Sequence, residues 1–79
     1  MVRKTIPPAP GALILERLPC VKARTGLSRS EIYRRVALGT FPAPVKLSAS
    51  DTARASAWVG SEIDAFIGER IAARDRASA

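Results

Sequence analysis

Residues 25–31, which read TGLSRSE, decide the fold. Gly26 can adopt the positive φ with which many helices end, so it predicts the end of one helix. Ser28 and Glu31 have the spacing of a capping box. In that motif the serine hydroxyl accepts from the backbone N–H of Glu31, and the Glu31 carboxylate reaches back. One helix therefore ends and another begins within three residues, which is typical of a helix-turn-helix with steeply crossed helices.

The helices on both sides of this corner are short. We expect the first helix over residues 19–25 and the second over residues 28–38, where Gly39 ends it. At 100° per residue, Ile32 and Val36 of the second helix point in similar directions. Both side chains are apolar, so this side of the helix is predicted to face the core.

A β-hairpin is expected after the second helix. Residues 45–47 alternate apolar, polar and apolar, as a strand with one buried face does. Residues 55–59 are the candidate for the second strand, and residues 48–54 supply the polar turn between the two. The apolar residues 13–15 can form an edge strand or a hydrophobic plug, because periodicity cannot decide over three residues.

A last helix follows the hairpin, with Ser61 as its expected cap and Glu62 and Asp64 in its first turn. Its apolar residues recur at helical spacing, which indicates a stripe that packs on the core. The stripe consists of Ile63, Phe66, Ile67 and Ile71. A seam between two copies of the chain is the alternative for this stripe. Trp58, just before the helix, is expected in the core behind the second helix.

These elements predict a single small domain. We expect residues 1–12, which contain three prolines and a glycine, to form a disordered tail. Residues 13–74 are expected to form the domain, and residues 75–79 to fray. The expected fold class is α+β, mainly α: a helix-turn-helix, a two-stranded wing and a C-terminal helix.

Charge is concentrated in the middle of the chain. The 79 residues carry a net charge of +6, and residues 17–54 contain eight basic and two acidic side chains. Residues 55–79 contain three basic and four acidic side chains. A basic excess confined to the segment that holds the helix-turn-helix favours a polyanionic partner over a charge that serves solubility.

Composition argues against an enzyme, a metal site and a membrane protein. There is no histidine, and the single cysteine, Cys20, permits no internal disulfide. We therefore expect no catalytic residue, no metal and no cofactor. No apolar run approaches the ~20 residues of a membrane span, and the N-terminus lacks the apolar core of a signal peptide. A cytoplasmic protein associated with the nucleoid is expected.

The second helix is the candidate for insertion into the major groove of double-stranded DNA, which is wide enough for an α-helix. Arginines can pair with guanine edges or phosphates, and serines near a helix N-terminus can bind phosphate. Arg35 lies nearer the buried side, where an acidic neighbour such as Glu31 can also hold it. The candidate DNA contacts are Arg24, Ser28, Arg29, Ser30, Tyr33, Arg34, Arg35, Lys46 and Arg54.

From Leu18 to about Arg74 the chain resembles the AlpA-type prophage regulators, which belong with the excisionases and MerR-like winged helices. The resemblance rests on residues 24–30 (RTGLSRS), 32–34 (IYR) and 39–47 (G-x-F-P-x-P-V-K-L), followed by Trp58 and residues 61–67. It implies a winged helix-turn-helix that regulates transcription in a phage or mobile element, with helix 28–38 in the major groove.

Two other functions stay open. An excisionase, or recombination directionality factor, would bend DNA and contact an integrase, whereas a regulator would act on RNA polymerase at a promoter. A protein-interaction adaptor would instead use the apolar C-terminal helix. One module of this size covers little DNA, so we expect cooperative or dimeric binding.

Overall fold

The computed structural model describes residues 13–48 and 55–78. In chain order the elements of this part are β1 (Leu15–Glu16), α1 (Leu18–Thr25), α2 (Arg29–Leu38), β2 (Val45–Lys46), β3 (Ser56–Val59) and α3 (Gly60–Ser78). This order confirms the α+β winged helix-turn-helix. The expected N-terminal tail, most of the turn between the wing strands and the candidate contact Arg54 lie outside the described residues.

The corner between α1 and α2 forms as the sequence predicts. Gly26 has φ 74° and ψ 7°, and its N–H donates to the Lys22 carbonyl at 2.8 Å. The Ser28 hydroxyl accepts from the backbone N–H of Glu31 at 3.1 Å. Only half of the capping box is present, because the Glu31 carboxylate pairs with Arg34 and Arg35 instead of reaching back.

The described strands form one antiparallel sheet in the order β1-β3-β2. Leu15 of β1 is paired with Val59, so the first apolar run contributes an edge strand and the wing gains a third strand. The expectation of a buried face on the strand at 45–47 is wrong, since Val45 is 41% and Leu47 43% exposed. The cause is position: β2 is an edge strand, and the central strand β3 provides the buried sheet residues.

The core lies between the helices and β3. Its buried members are Val21, Ile32, Phe41, Ala57, Trp58 and Ile63. Trp58 is fully buried, as predicted, and its indole N–H donates to the Pro42 carbonyl at 2.8 Å. Phe41 and Phe66 meet edge to face with ring centroids 4.6 Å apart, which fixes α3 against the loop after α2.

Helix α3 begins at Gly60, two residues before the start that a cap at Ser61 predicts, so Ser61 lies inside the first turn. The backbone N–H of Gly60 donates to the Ile14 carbonyl at 2.7 Å. A Cβ on Gly60 would stand 2.9 Å from a Glu16 carboxylate oxygen and 3.3 Å from the Ile14 carbonyl oxygen, so glycine permits this close approach to β1 and the residue before it.

The apolar stripe of α3 is buried only in its first half. Ile63 is buried and Phe66 and Ile67 pack against the core, as predicted, but Ile71 is 46% exposed. Asp64 lies beyond the first turn and pairs with Arg24. Residues 75–78, which we expect to fray, are helical in the structure.

Candidate nucleic-acid interface

Helix α2 has one buried side and one polar side. Ile32 is fully buried and Val36 packs against the core, which fixes the helix by its apolar residues. Toward its N-terminus, the helix exposes mainly polar side chains. We call the exposed set the recognition surface: Ser28, Arg29, Ser30, Tyr33 and Arg34.

Tyr33 and Arg29 are held in place by an aromatic contact and a cation–π contact. The Tyr33 ring meets Trp58 edge to face, with centroids 5.9 Å apart, so the buried indole supports it. The guanidinium carbon of Arg29 lies 5.1 Å from the Tyr33 ring centroid, within the range of a cation–π contact. Arg29 has no carboxylate partner among the described residues. Its charge is therefore available to an outside anion from a supported position.

The N-terminus of α2 is suited to an anion. The first backbone N–H groups of a helix have no partner within the helix, and the helix dipole places partial positive charge there. The Ser28 oxygen accepts the Glu31 N–H, which leaves the hydroxyl hydrogen of Ser28 as a donor toward solvent. Ser30 lies two residues after Ser28 and is also exposed. A phosphate at this end would meet donors from backbone and side chains together.

Glu31 binds two of the candidate arginines. Arg34 donates to its carboxylate, and Arg35 donates through Nε at 3.0 Å. The pKa of Glu31 is lowered below its usual 4.5, and the hydrogen bond from Arg34 is the largest cause. The positive charge of Arg34 and the hydrogen bond and charge of Arg35 lower it further. Arg35 thus has the acidic neighbour that the sequence indicates. One carboxylate faces two guanidinium groups, so the cluster keeps a net positive charge.

The remaining candidates lie elsewhere. Arg24 bridges Glu16 of β1 and Asp64 of α3, and the hydrogen bond from Arg24 to Asp64 is the main cause of its raised pKa. The structure therefore places Arg24 in a contact that joins three elements and not on the recognition surface. Lys46 is exposed on β2 and has no ion-pair partner in the described part of the chain.

Three further cations were missed by the sequence analysis as candidates. Arg17, Lys22 and Arg70 are exposed, and none pairs with a carboxylate within residues 13–48 and 55–78. Arg17 and Lys22 belong to the basic middle segment, so the charge count contained their signal. Arg70 lies in the acidic last segment, where a regional count hides it.

The profile of the family described as Prophage CP4-57 regulatory protein (AlpA) matches residues 14–71. This chain belongs to the AlpA family. The AlpA proteins are a phage regulatory, DNA-binding family, and the match runs from the residue before β1 into the second half of α3. It therefore includes the corner at Gly26, all of α2 and all three strands of the sheet.

A curated relative of this chain is a phage protein. The chain is 42% identical over 60 residues to Uncharacterized protein ORF88 of Enterobacteria phage P4. That alignment covers 76% of this chain and 64% of the phage protein, so the chain spans a little less than two thirds of its relative. No solved structure matches the chain.

Residues 13–48 and 55–78 show neither a metal-binding cluster nor a membrane-spanning helix. They contain no cluster of three or more His, Cys, Asp or Glu side chains that could hold a metal ion. None of the helices in that part has the length and hydrophobicity needed to span a bilayer.

Proposed function

We propose that this chain is a sequence-specific, DNA-binding transcriptional regulator of a phage or mobile element, with α2 in the major groove. One observation carries the proposal: α2 is anchored by Ile32 on one side and presents Ser28, Arg29, Ser30, Tyr33 and Arg34 on the other. A helix anchored in this way can enter a groove about 12 Å wide. Membership of a phage regulatory family supports the same function.

The contacts divide into two classes by their chemistry. Arg29 has a planar fork of donors that fits the O6 and N7 acceptors of guanine, and it is supported from below by Tyr33. Ser28 and the first N–H groups of α2 suit a phosphate, which carries no sequence information. Lys46 on the wing suits a second phosphate. Specificity is therefore assigned to Arg29 and Arg34, and affinity to the whole set.

The choice between a regulator and an excisionase depends on what the bound protein does to DNA and to its partners. A regulator at a promoter acts through RNA polymerase, whereas an excisionase bends DNA and contacts an integrase. Membership of a family of phage regulatory proteins supports the regulator. Circular-permutation gels would show a strong bend if the excisionase were the correct assignment.

The test measures fluorescence anisotropy on a duplex selected for binding, with two alanine variants. Arg29→Ala should weaken binding about tenfold to a hundredfold, because a bidentate arginine–guanine pair is lost. Arg76→Ala is the matched control, since Arg76 is an exposed arginine far along α3 that pairs with Glu69. Equal losses in the two variants would show that bulk charge, and not the recognition surface, binds the duplex.

A further inference from the structure

Helix α3 carries its charges in two separate halves. Residues 60–69 contain three acidic side chains and no basic one, and residues 70–78 contain three arginines and one aspartate. Acidic residues at a helix N-terminus and basic residues at its C-terminus stabilise the dipole, but this effect fades within the first and last turn. It does not account for Glu69 and Arg70, which lie in the middle of the helix.

The acidic half borders a groove between α3 and the loop after α2. We call it the acidic groove: its volume is about 600 Å³, and residues 39–43, Glu62, Ala65, Phe66 and Glu69 line it. Phe41 and Phe66 give it an apolar floor, and the two glutamates stand at its rim. Glu62 has no ion-pair partner among the described residues, and Glu69 is held only by the exposed Arg76 at 3.0 Å.

The basic half presents a ridge of opposite charge. We call Arg70, Ile71 and Arg74 the basic ridge. Ile71 is 46% exposed, although its spacing continues the apolar stripe of the core. Arg70 lacks a carboxylate partner within the described ranges, and Arg74 pairs only with its neighbour Asp75 at 3.0 Å. An ion pair between exposed side chains is weak, so Arg74 can readily exchange Asp75 for a carboxylate that binds it more strongly.

We propose that the basic ridge of one copy of this chain docks into the acidic groove of a second copy. Ile71 would cover the apolar floor that Phe41 and Phe66 form, and Arg70 and Arg74 would pair with Glu62 and Glu69 of the other copy. The acidic groove and the basic ridge match in two independent properties, since each combines an apolar centre with a charged rim and the rims have opposite signs.

The proposed contact joins two different surfaces of the chain, so the association is head-to-tail. Phe66 packs against the core and borders both the acidic groove and the concave surface beside the basic ridge. The two surfaces therefore adjoin each other along α3, and Phe66 lines both. A copy docked by its ridge keeps its own groove free, so further copies can add in a row.

A row of this kind would act on DNA by cooperativity. A single small module buries little surface and binds weakly, whereas copies on adjacent sites would hold one another through α3. This use of the docking rests on the proposed DNA binding. The docking itself is a property of the protein alone, so it can be measured with and without a duplex.

The experiment compares a duplex that holds one selected site with a duplex that holds two adjacent sites. The second copy should bind the wild type about tenfold more tightly than the first. Two double variants should lose this advantage: Arg70→Glu with Arg74→Glu, and Glu62→Arg with Glu69→Arg. The quadruple variant, which combines all four changes and keeps the net charge of the wild type, should regain it because the two rims are again of opposite sign.

Circular dichroism checks that α3 is folded in every variant, since Glu and Arg have similar helix propensities. Cooperativity that survives in either double variant, or that stays lost in a folded quadruple variant, would overturn the docking. Sedimentation without DNA should show self-association of the wild type and of the quadruple variant, and its loss in the two double variants. A wild type that fails to bind the one-site duplex but self-associates in this pattern would overturn the proposed function and leave the docking intact.

Discussion

At the scale of single residues, the two helix ends at Gly26 and Gly39 were predictable because they depend on neighbours in the chain. Both glycines have positive φ, at 74° and 77°, and the N–H of each donates to a carbonyl of the preceding helical turn. Only glycine adopts this conformation without strain from a Cβ. The start of α3 was not predictable in this way, because Ile14, far away in sequence, receives the N–H of Gly60.

A pair of glycine variants separates backbone strain from packing. Gly39→Ala should lower the free energy of unfolding by about 1–2 kcal/mol, because alanine is strained at positive φ. Gly68→Ala, inside α3, should raise it by about 0.5–1 kcal/mol through helix propensity. An added Cβ meets no atom within 4 Å at either position, so contacts do not differ. Urea denaturation measures both, and shifts of the same sign would contradict this explanation.

Side-chain partners were the least predictable feature at this scale. The spacing of Ser28 and Glu31 predicts a reciprocal cap, and one of its two hydrogen bonds forms. The other is lost because Arg34 and Arg35 lie one turn further along α2 and offer the carboxylate charged donors. Charged donors make stronger hydrogen bonds than a backbone N–H, so the Glu31 carboxylate binds the two arginines and not the backbone N–H of Ser28.

At the scale of elements, the cap of α2 has two roles that mutation can separate. Ser28→Ala should cost about 1 kcal/mol of stability, because the Glu31 N–H loses its acceptor. It should also weaken DNA binding. Ser30→Ala, two residues further on, removes an exposed hydroxyl that caps nothing, so stability should be unchanged while binding falls. Thermal unfolding measures the stability of each variant, and fluorescence anisotropy measures its DNA binding. An equal loss of stability in both variants would contradict the assignment of the cap.

The helices were more predictable than the sheet. Apolar spacing places Ile32 and Ile63 in the core correctly, since each helix buries one side against a neighbouring element. The alternation at Val45 to Leu47 predicts a buried face that does not exist. Burial of a strand depends on its place in the sheet, and β2 is at an edge. The pairing of Leu15 with Val59 joins residues 44 positions apart, which local patterns do not reveal.

At the scale of the whole molecule, the candidate site was predicted as a segment but not as a surface. The basic middle of the chain contains Arg24 as well as Arg29, and charge counts treat them alike. The fold separates them: Arg24 joins Glu16 and Asp64, which are 8 and 40 residues away, while Arg29 stays exposed on α2. Only tertiary structure shows which arginines already have partners.

The salt dependence of DNA binding tests the electrostatic part of the proposal. If about 4–6 phosphates are neutralised, the logarithm of the affinity should fall with the logarithm of the salt concentration at a slope of about −4 to −5. A fourfold rise in salt would then weaken binding by roughly 10²–10³-fold. Lys46→Ala should reduce the slope by about 1 if this lysine binds one phosphate. A slope near zero would contradict phosphate binding by the cationic surface.

The central claim is that α2 reads base edges through its exposed side. The most direct measurement is a selection of bound sequences from random duplexes with the wild type, Arg29→Ala, Arg34→Ala and the control Arg76→Ala. The account predicts that each α2 variant loses preference at discrete base positions, while the control keeps the wild-type sequence. Unchanged affinity and an unchanged selected sequence in both α2 variants would contradict it.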